Sequence, residues 1–337
     1  MEENNLLHEH HAFEVDKNHD FLRIDKFLLL RLSNTTRNKI QKTINSGNVF
    51  CNEKVVKSNY KVKPFDKISI RFDYEPYNKE IVPENIPIDT IYEDDHIVVV
   101  NKSPNMVVHP SFGHYSGTLV HALLFKYNDI AQSGNKERPG LVHRLDKNTT
   151  GLIVVARNNI ALSHLSSQFA ERTISRSYVA LVWGDIKDDK GTINNYIGRN
   201  KKNRKLMSVL DSNDELGKNA ITHFEVIERF RYVTLVSCKL ETGRTHQIRV
   251  HMKYFGHPLF NDSEYGGDKI LRGTTFSKYK QFVKNCFRIL PRQALHAVKL
   301  SLIHPDSNNE MTFDCDIPDD MKSVISRWRN YINNDYT

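Results

Sequence analysis

Asp146 is the residue of this chain best placed to do chemistry. It stands between Arg144 and Lys147 in the segment RPGLVHRLDKNTTGLIVVAR, residues 138 to 157. Flanking cations favour the carboxylate, the form that attacks carbon or accepts a proton. Thr149, Thr150 and Gly151 follow, and then the apolar run Leu152 to Ala156. A glycine at the start of a buried strand lets the backbone turn tightly or approach a ligand. The acid is therefore expected on a loop that a rigid core strand holds in place. The same spacing also fits an ordinary surface ion pair.

Four further segments carry reactive or recognising side chains. Arg176-Ser177-Tyr178 opens a strand that runs to Trp183. Residues 241 to 251, ETGRTHQIRVH, read as a glycine turn feeding a helix, because Ile248, Met252 and Phe255 share a face and Gly256 stops it. Gly256 to Asp262 reads as a rigid turn, and Gln293 to Ala297 as the start of a late strand. His246 and His251 lie five positions apart, about 140° around a helix, which is not the pairing of a helical zinc site. Neither phosphate-cradling glycine pattern is present, and neither is a G-x-S-x-G elbow. Nucleotide cofactors and acyl transfer are therefore not expected.

These residues need elements to position them. Residues 1–18 are expected to be a flexible tail with His8, His10 and His11 in solvent. Residues 19–75 read as a small basic unit. Ile24, Phe27, Leu28 and Leu32 recur at helical spacing, Ser33-Asn34-Thr35 marks a stop and a new cap, and a second helix spans Arg37 to Asn45 with Arg37, Lys39 and Lys42. Short strands are expected at 49–51, 54–56 and 67–71. Basic residues on one compact unit suit phosphate contacts. Pro76, Pro83 and Pro87 mark residues 76–90 as a linker or an edge crossing.

In residues 91–332, strands are expected at 97–100, 152–156, 177–183, 222–228, 232–240 and 294–303, and helices at 117–126, 161–171 and 318–331. The order is not a regular βαβ alternation. The fold class is thus α+β, with a central mixed, largely antiparallel sheet flanked by helices and a small N-terminal α/β unit. The basic run Arg199, Lys201, Lys202, Arg204 and Lys205 reads as a phosphate-contacting loop.

The whole-chain balance agrees. With 337 residues, 39% hydrophobic and 26% charged, the chain can bury a large core, and its net charge of +8 favours a polyanionic partner. Its four cysteines form no C-x-x-C pair, which points to reduced thiols and a cytoplasmic setting. The first twenty residues lack the apolar core of a signal peptide. Apolar runs of about five residues are far too short to span a membrane.

Two resemblances follow from these residues. Arg23 to Leu28, Arg37 to Lys42 and Ser46 to Val49 resemble the S-four RNA-binding module, although Asn52-Glu53 stands where that family often has Asn-Gly. Residues 90–305 resemble the RluA/RluD family of pseudouridine synthases. The resemblance rests on the His143-Arg144-Leu145-Asp146 block, the Arg176-Ser177-Tyr178 strand, residues 242–251 and Ala294 to Ala297. Thr150 stands where that family usually has serine.

The resemblance implies an isomerase that breaks the N-glycosidic bond of a uridine in RNA, turns the uracil and rejoins it through carbon. It implies Asp146 as the essential acid, Arg244 as its guanidinium partner, Tyr178 stacked on the base and able to accept a proton, and Arg144 filling the space of the everted nucleotide. Asp146 either attacks C1′ or assists loss of the C2′ proton. His143, Thr150, Arg176 and Arg249 join Arg37, Lys39, Lys42, Arg199, Lys202 and Arg204 as expected RNA contacts. The implied partner is structured RNA, foremost large-subunit ribosomal RNA, and the protein is expected to act as a monomer with no metal or organic cofactor. Transfer RNA as substrate, or a catalytically silent ribosome-assembly factor, stays open.

Overall fold

The computed structural model describes residues 7–17, 21–32, 35–73, 81–111, 113–127, 130, 138–212 and 214–334. The chain divides into two compact units, one ending at residue 79 and one beginning at residue 80.

The first unit contains β1 (His8–Glu14), α1 (Ile24–Arg31), α2 (Arg37–Asn45), β2 (Val49–Cys51), β3 (Lys54–Val55) and β4 (Lys67–Phe72). Its strands form one sheet in the order β1-β4-β2-β3. Ile24, Phe27 and Leu28 of α1 and Ile40 and Ile44 of α2 bury against Val49, Ile68 and Ile70. The expected flexible tail is corrected here. Residues 8–14 pair antiparallel with β4, and Val15 is buried behind them. The free edge of β4 supplies the ladder that the polar sequence HEHHAFE does not advertise. The cap of α2 is Thr36, whose hydroxyl accepts from the Lys39 N–H. Ser33 and Asn34, expected at that boundary, lie outside the described residues. Asn52 and Glu53 both have positive φ, so their turn has the twist that Asn-Gly would give.

Asp25 ties the two helices together. Its fully buried carboxylate accepts from Arg37 Nε and Nη2 at 3.0 and 2.8 Å, from Gln41 Nε2 at 2.8 Å and from Arg23. Burial alone would raise its pKa, but the hydrogen bonds from Gln41, Arg37 and Arg23 bring it down to about 2. Arg37, an expected RNA contact, gives Nε and Nη2 to Asp25 while its side chain stays exposed. Lys39 and Lys42 are exposed. A carboxyl depressed from 3.8 stabilises the fold by about 2 kcal/mol above pH ~4, and the contribution is lost as pH falls through 2. Asp25→Asn should therefore cost this unit about 2 kcal/mol in urea unfolding at pH 7, and about 1 kcal/mol less at pH 3. The same difference at both pH values would contradict the assignment.

The second unit contains β5 (Asp89–Glu93), β6 (Ile97–Lys102), α3 (Leu119–Lys126), β7 (Thr150–Ala156), α4 (Asn159–Glu171), β8 (Ser175–Trp183), β9 (Lys190–Arg199), β10 (Met207–Leu210), β11 (Lys218–Arg229), β12 (Val233–Leu240), α5 (Gln247–Tyr254), α6 (Ser277–Ile289), β13 (Leu295–Ile303), β14 (Glu310–Asp314) and α7 (Asp319–Asn334). One large sheet runs β10-β9-β11-β12-β8-β13-β7-β6-β5, with β14 on β13. Among the described residues every ladder is antiparallel except β13–β7, which is parallel and joins only His296 to Thr150 and Ala297 to Gly151. The expected linker is corrected in its second half. The Glu84 N–H bonds His121 O of α3, and β5 already begins at Asp89.

Strand alternation sorts the core onto two faces. Tyr178, Ala180, Val182, Val236 and Cys238 share one cluster with Ile248 and Met252 of α5. Val179, Leu181, Trp183 and Leu235 point the other way, against Tyr279, Val283 and Cys286 of α6 and Trp328 of α7. The site therefore lies on the α5 side of the sheet, with α6 and α7 behind it.

Candidate active site

A cleft of about 390 Å³ opens on the α5 side, bounded by residues 142–146, the end of α4, Arg176 and Tyr178 of β8, and residues 240–249. Asp146 lies on the loop that enters β7. Gly151 makes this entry possible. It has φ +108, and a Cβ there would stand 2.2 Å from Ala297 O. Under the loop, Lys102 is only 1% exposed, and its ammonium donates to the carbonyls of Ser103, Met106 and Lys147 at 2.8–3.0 Å. Burial pushes the Lys102 pKa down to about 7, while the nearby Asp146 holds it up. Three carbonyl acceptors call for three N–H donors, which only the ammonium has.

The guanidinium against Asp146 belongs to Arg249, not Arg244. Arg249 Nη1 donates to Asp146 Oδ2 at 3.0 Å. Its Nε and Nη2 make a two-pronged bond to the fully buried Asp262 at 2.7 and 2.8 Å, and Nη2 also meets Glu264 at 2.5 Å. Although burial opposes the charge, these carboxylates, Asp262 foremost, raise the Arg249 pKa above its ordinary value. Arg244 sits on the turn before α5. Its Nε donates to Asn219 O at 3.0 Å and its N–H to Gln247 Oε1. The physical reason for the correction is the turn itself. His246 adopts φ 56, so the helix begins only at Gln247 and its first turn carries Arg249 towards the acid.

His246 was considered above only as a metal ligand. Its Nε2 lies 3.7 Å from Asp146 Oδ1, and its Nδ1 lies 2.8 Å from the Tyr265 hydroxyl. That hydroxyl already accepts from the Met207 N–H. The ring is thus held by Tyr265 at Nδ1 and turns Nε2 towards the acid. Burial lowers the His246 pKa, and Asp146 opposes that shift. Asp262, Glu264 and Lys102 also escaped the sequence reading. The two acids lie 13 and 15 positions beyond Arg249 with a turn between, and only the fold brings them together.

Tyr178 lines the cleft with its ring almost wholly buried (6% exposed). Burial raises its phenol above the usual range, against the pull of Arg176, so the resting enzyme presents a protonated phenol and an aromatic face. His143 stacks on Phe169 at 4.8 Å, and Arg176 lies 5.2 Å from the same ring. His143 Nε2 accepts from the Val154 N–H, so Nδ1 carries a hydrogen, and among the described residues that atom is without a partner. The buried Nε of Arg176 is likewise unpaired. Gly243 leaves room for this guanidinium, since a Cβ there would meet Nη1 at 2.8 Å. Arg144 is exposed at the rim.

Thr150 is a second correction. It is 2% exposed and its hydroxyl is bonded to His296 Nδ1 at 2.9 Å, inside the sheet seam and out of reach of a ligand. Arg199, Lys202 and Arg204 lie exposed at the β9–β10 hairpin, where Arg199 Nη1 holds Arg204 O and Lys201 pairs with Asp214.

An acid clamped by a guanidinium thus stands beside a buried aromatic ring in one cleft, and comparison with known proteins gives the class of protein. Residues 96–254 match the RNA pseudouridylate synthase family, and residues 22–68 match the S4 domain. An uncharacterized RNA pseudouridine synthase from Chlorobaculum parvum is 44% identical over 94% of this chain and 97% of its own length. The uncharacterized RNA pseudouridine synthase YlyB of Bacillus subtilis is 42% identical over 91% of this chain and 94% of its own. Ribosomal large subunit pseudouridine synthase D of Vibrio parahaemolyticus is 39% identical over 91% of each chain. Human RNA pseudouridylate synthase domain containing 4 shares the fold, with TM-score 0.53 at 22% identity over 72% of this chain and 93% of its own.

The chain belongs to the RNA pseudouridine synthase family, enzymes that isomerise uridine to pseudouridine, and it carries an S4 domain at its N-terminal end. Among the described residues no helix is long and apolar enough to cross a membrane.

Proposed function

We propose that this enzyme isomerises uridines of large-subunit ribosomal RNA, with Asp146 as the catalytic carboxylate. The observation that carries the reading is the geometry around that acid. It is 17% exposed at the cleft, clamped by Arg249 at 3.0 Å, with His246 Nε2 at 3.7 Å. A carboxylate so held keeps one oxygen free to attack C1′ or to assist removal of the C2′ proton. Tyr178 stacks under the everted uracil. Arg144 occupies the space the nucleotide leaves, which offsets part of the cost of eversion.

Arg176 has a buried nitrogen with no bond and lies beside the cleft. In this reading it meets a phosphate oxygen next to the target nucleotide, and His143 Nδ1 donates to the same strand. Lys39 and Lys42 of the S4 domain and Lys202 and Arg204 of the hairpin make phosphate contacts. The ribosomal target is supported by the names of relatives such as the Vibrio and Neisseria large-subunit synthases. The same reading has the enzyme acting as a cytoplasmic monomer without metal or organic cofactor.

The test is a map of pseudouridines in total RNA from cells with and without the intact gene. Loss of one or more sites in large-subunit RNA is the expected result. Loss confined to transfer RNA would move the substrate, and no loss anywhere would remove the activity.

A further inference from the structure

The far side of the sheet, away from the cleft, carries a second charged surface. Residues 269–305 contain eight Lys and Arg and not one Asp or Glu. Four of the eight, Lys278, Lys280, Lys284 and Arg288, are on α6. Their side chains are exposed, while Tyr279, Val283 and Cys286 bury the other face of the helix against the sheet. Lys280, Lys284 and Arg288 follow one another at i, i+4 and i+8, one turn apart, and so form a single stripe.

The neighbouring helix shows that this is not simply how the protein decorates its surface. On α7, Lys322 pairs with Asp316 at 3.1 Å and Arg329 with Glu228 at 2.5 Å. Arg292, just after α6, is held by Asp320 at 2.8 Å. Among the described residues none of the four α6 cations has a carboxylate partner. At the start of the same helix Phe276 is 74% exposed, with Arg272 and Lys278 on either side in sequence. An exposed ring among unpaired cations is the pattern of a surface that tracks a nucleic-acid backbone and stacks a base.

We propose that the α6 stripe is a second RNA-binding surface, which grips the phosphodiester backbone of the folded substrate at a point remote from the target uridine. The inference rests on the reading of a large structured RNA as substrate. Tyr178 and the α6 anchors lie on opposite faces of β8, so one short stem-loop seated in the cleft does not reach the stripe, whereas a folded ribosomal RNA domain wraps around to it. The stripe selects substrates by size and fold, and takes no part in the chemistry.

The experiment compares wild type with the triple variant Lys280→Gln, Lys284→Gln, Arg288→Gln on two RNAs: a folded large-subunit RNA domain and a minimal stem-loop containing the same target. Circular dichroism melting controls for folding, and a matched set with Phe276→Ala isolates the ring. On the large RNA the variant should bind about ten-fold more weakly at 150 mM salt, and the slope of log K against log salt should shrink by about 2 to 3, since each lost phosphate contact removes close to one unit. On the stem-loop, binding and turnover should match wild type. Equal weakening on both RNAs would reveal only a loss of net charge and overturn the proposal, as would no change on the large RNA. The binding slope is read without turnover, so a failure of the ribosomal-target reading shows separately, as wild-type protein that leaves the large-subunit uridines unmodified.

Discussion

Asp146→Asn is expected to abolish pseudouridine formation while leaving RNA binding within about two-fold of wild type. The amide cannot serve as nucleophile or base, and the loss should be at least 10⁴-fold in single-turnover rate, the scale of a lost acid–base or covalent step. The loop should survive the change. Lys102 holds Lys147 O from below, Gly151 anchors the loop against Ala297, and Asp146 is not itself in the core. Single-turnover assays on in vitro transcript, with binding measured in parallel, decide it. Turnover within ten-fold of wild type would take the catalytic role away from this residue. Joint loss of binding and turnover would mean that the loop, rather than the oxygen, had been damaged.

Arg249→Gln should be the most damaging substitution in the site. The wild-type guanidinium engages Asp146, Asp262 and Glu264 at once. Its removal leaves the fully buried Asp262 without compensation, at a cost of about 3 to 5 kcal/mol in stability, with turnover lost as Asp146 swings free. Arg249→Lys retains the charge but cannot bridge three carboxylates with one ammonium, so it should recover part of the stability and little of the activity. Arg244→Gln loses one bond to Asn219 O and should cost about 1 kcal/mol or less. Chemical denaturation of the three variants, run beside the turnover assay, separates the two arginines. A larger loss at Arg244 than at Arg249 would reverse the assignment.

Those two arginines also mark where sequence reading reached its limit. Cap and stop signals placed α2 at Arg37 to Asn45, and the runs at 97–100, 152–156 and 177–183 became β6, β7 and β8, because propensity and burial agree there. Asp146 and Tyr178, singled out by their motifs, line one cleft. Which arginine met the acid depended on a left-handed residue at His246 that delays the helix, and a linear motif does not reveal that. Asp262 and Glu264 were invisible because their partner is set by tertiary folding. In the hairpin, β9 carries two Asn and two Gly and β10 is only four residues long, too little alternation to read. Helix α6 has a clear apolar stripe at Tyr279, Val283 and Cys286, but its polar majority hid it. At the other end, the edge strand β1 exists because β4 offers a ladder, not because its own residues favour one.

The saturation of Arg249 has a consequence for how substrate is captured. Three carboxylates surround one guanidinium, while Arg144, Arg172, Arg176 and Arg244 line the cleft around that cluster. Carboxylates take four of the five N–H donors of Arg249, which ties it to the acids rather than to a phosphate. Phosphate contact is left to arginines such as Arg176 and Arg144 on the cleft wall, while Arg249 is kept for the acid. Binding and reactivity then fall to different side chains, and added salt should erode the first long before it touches the second.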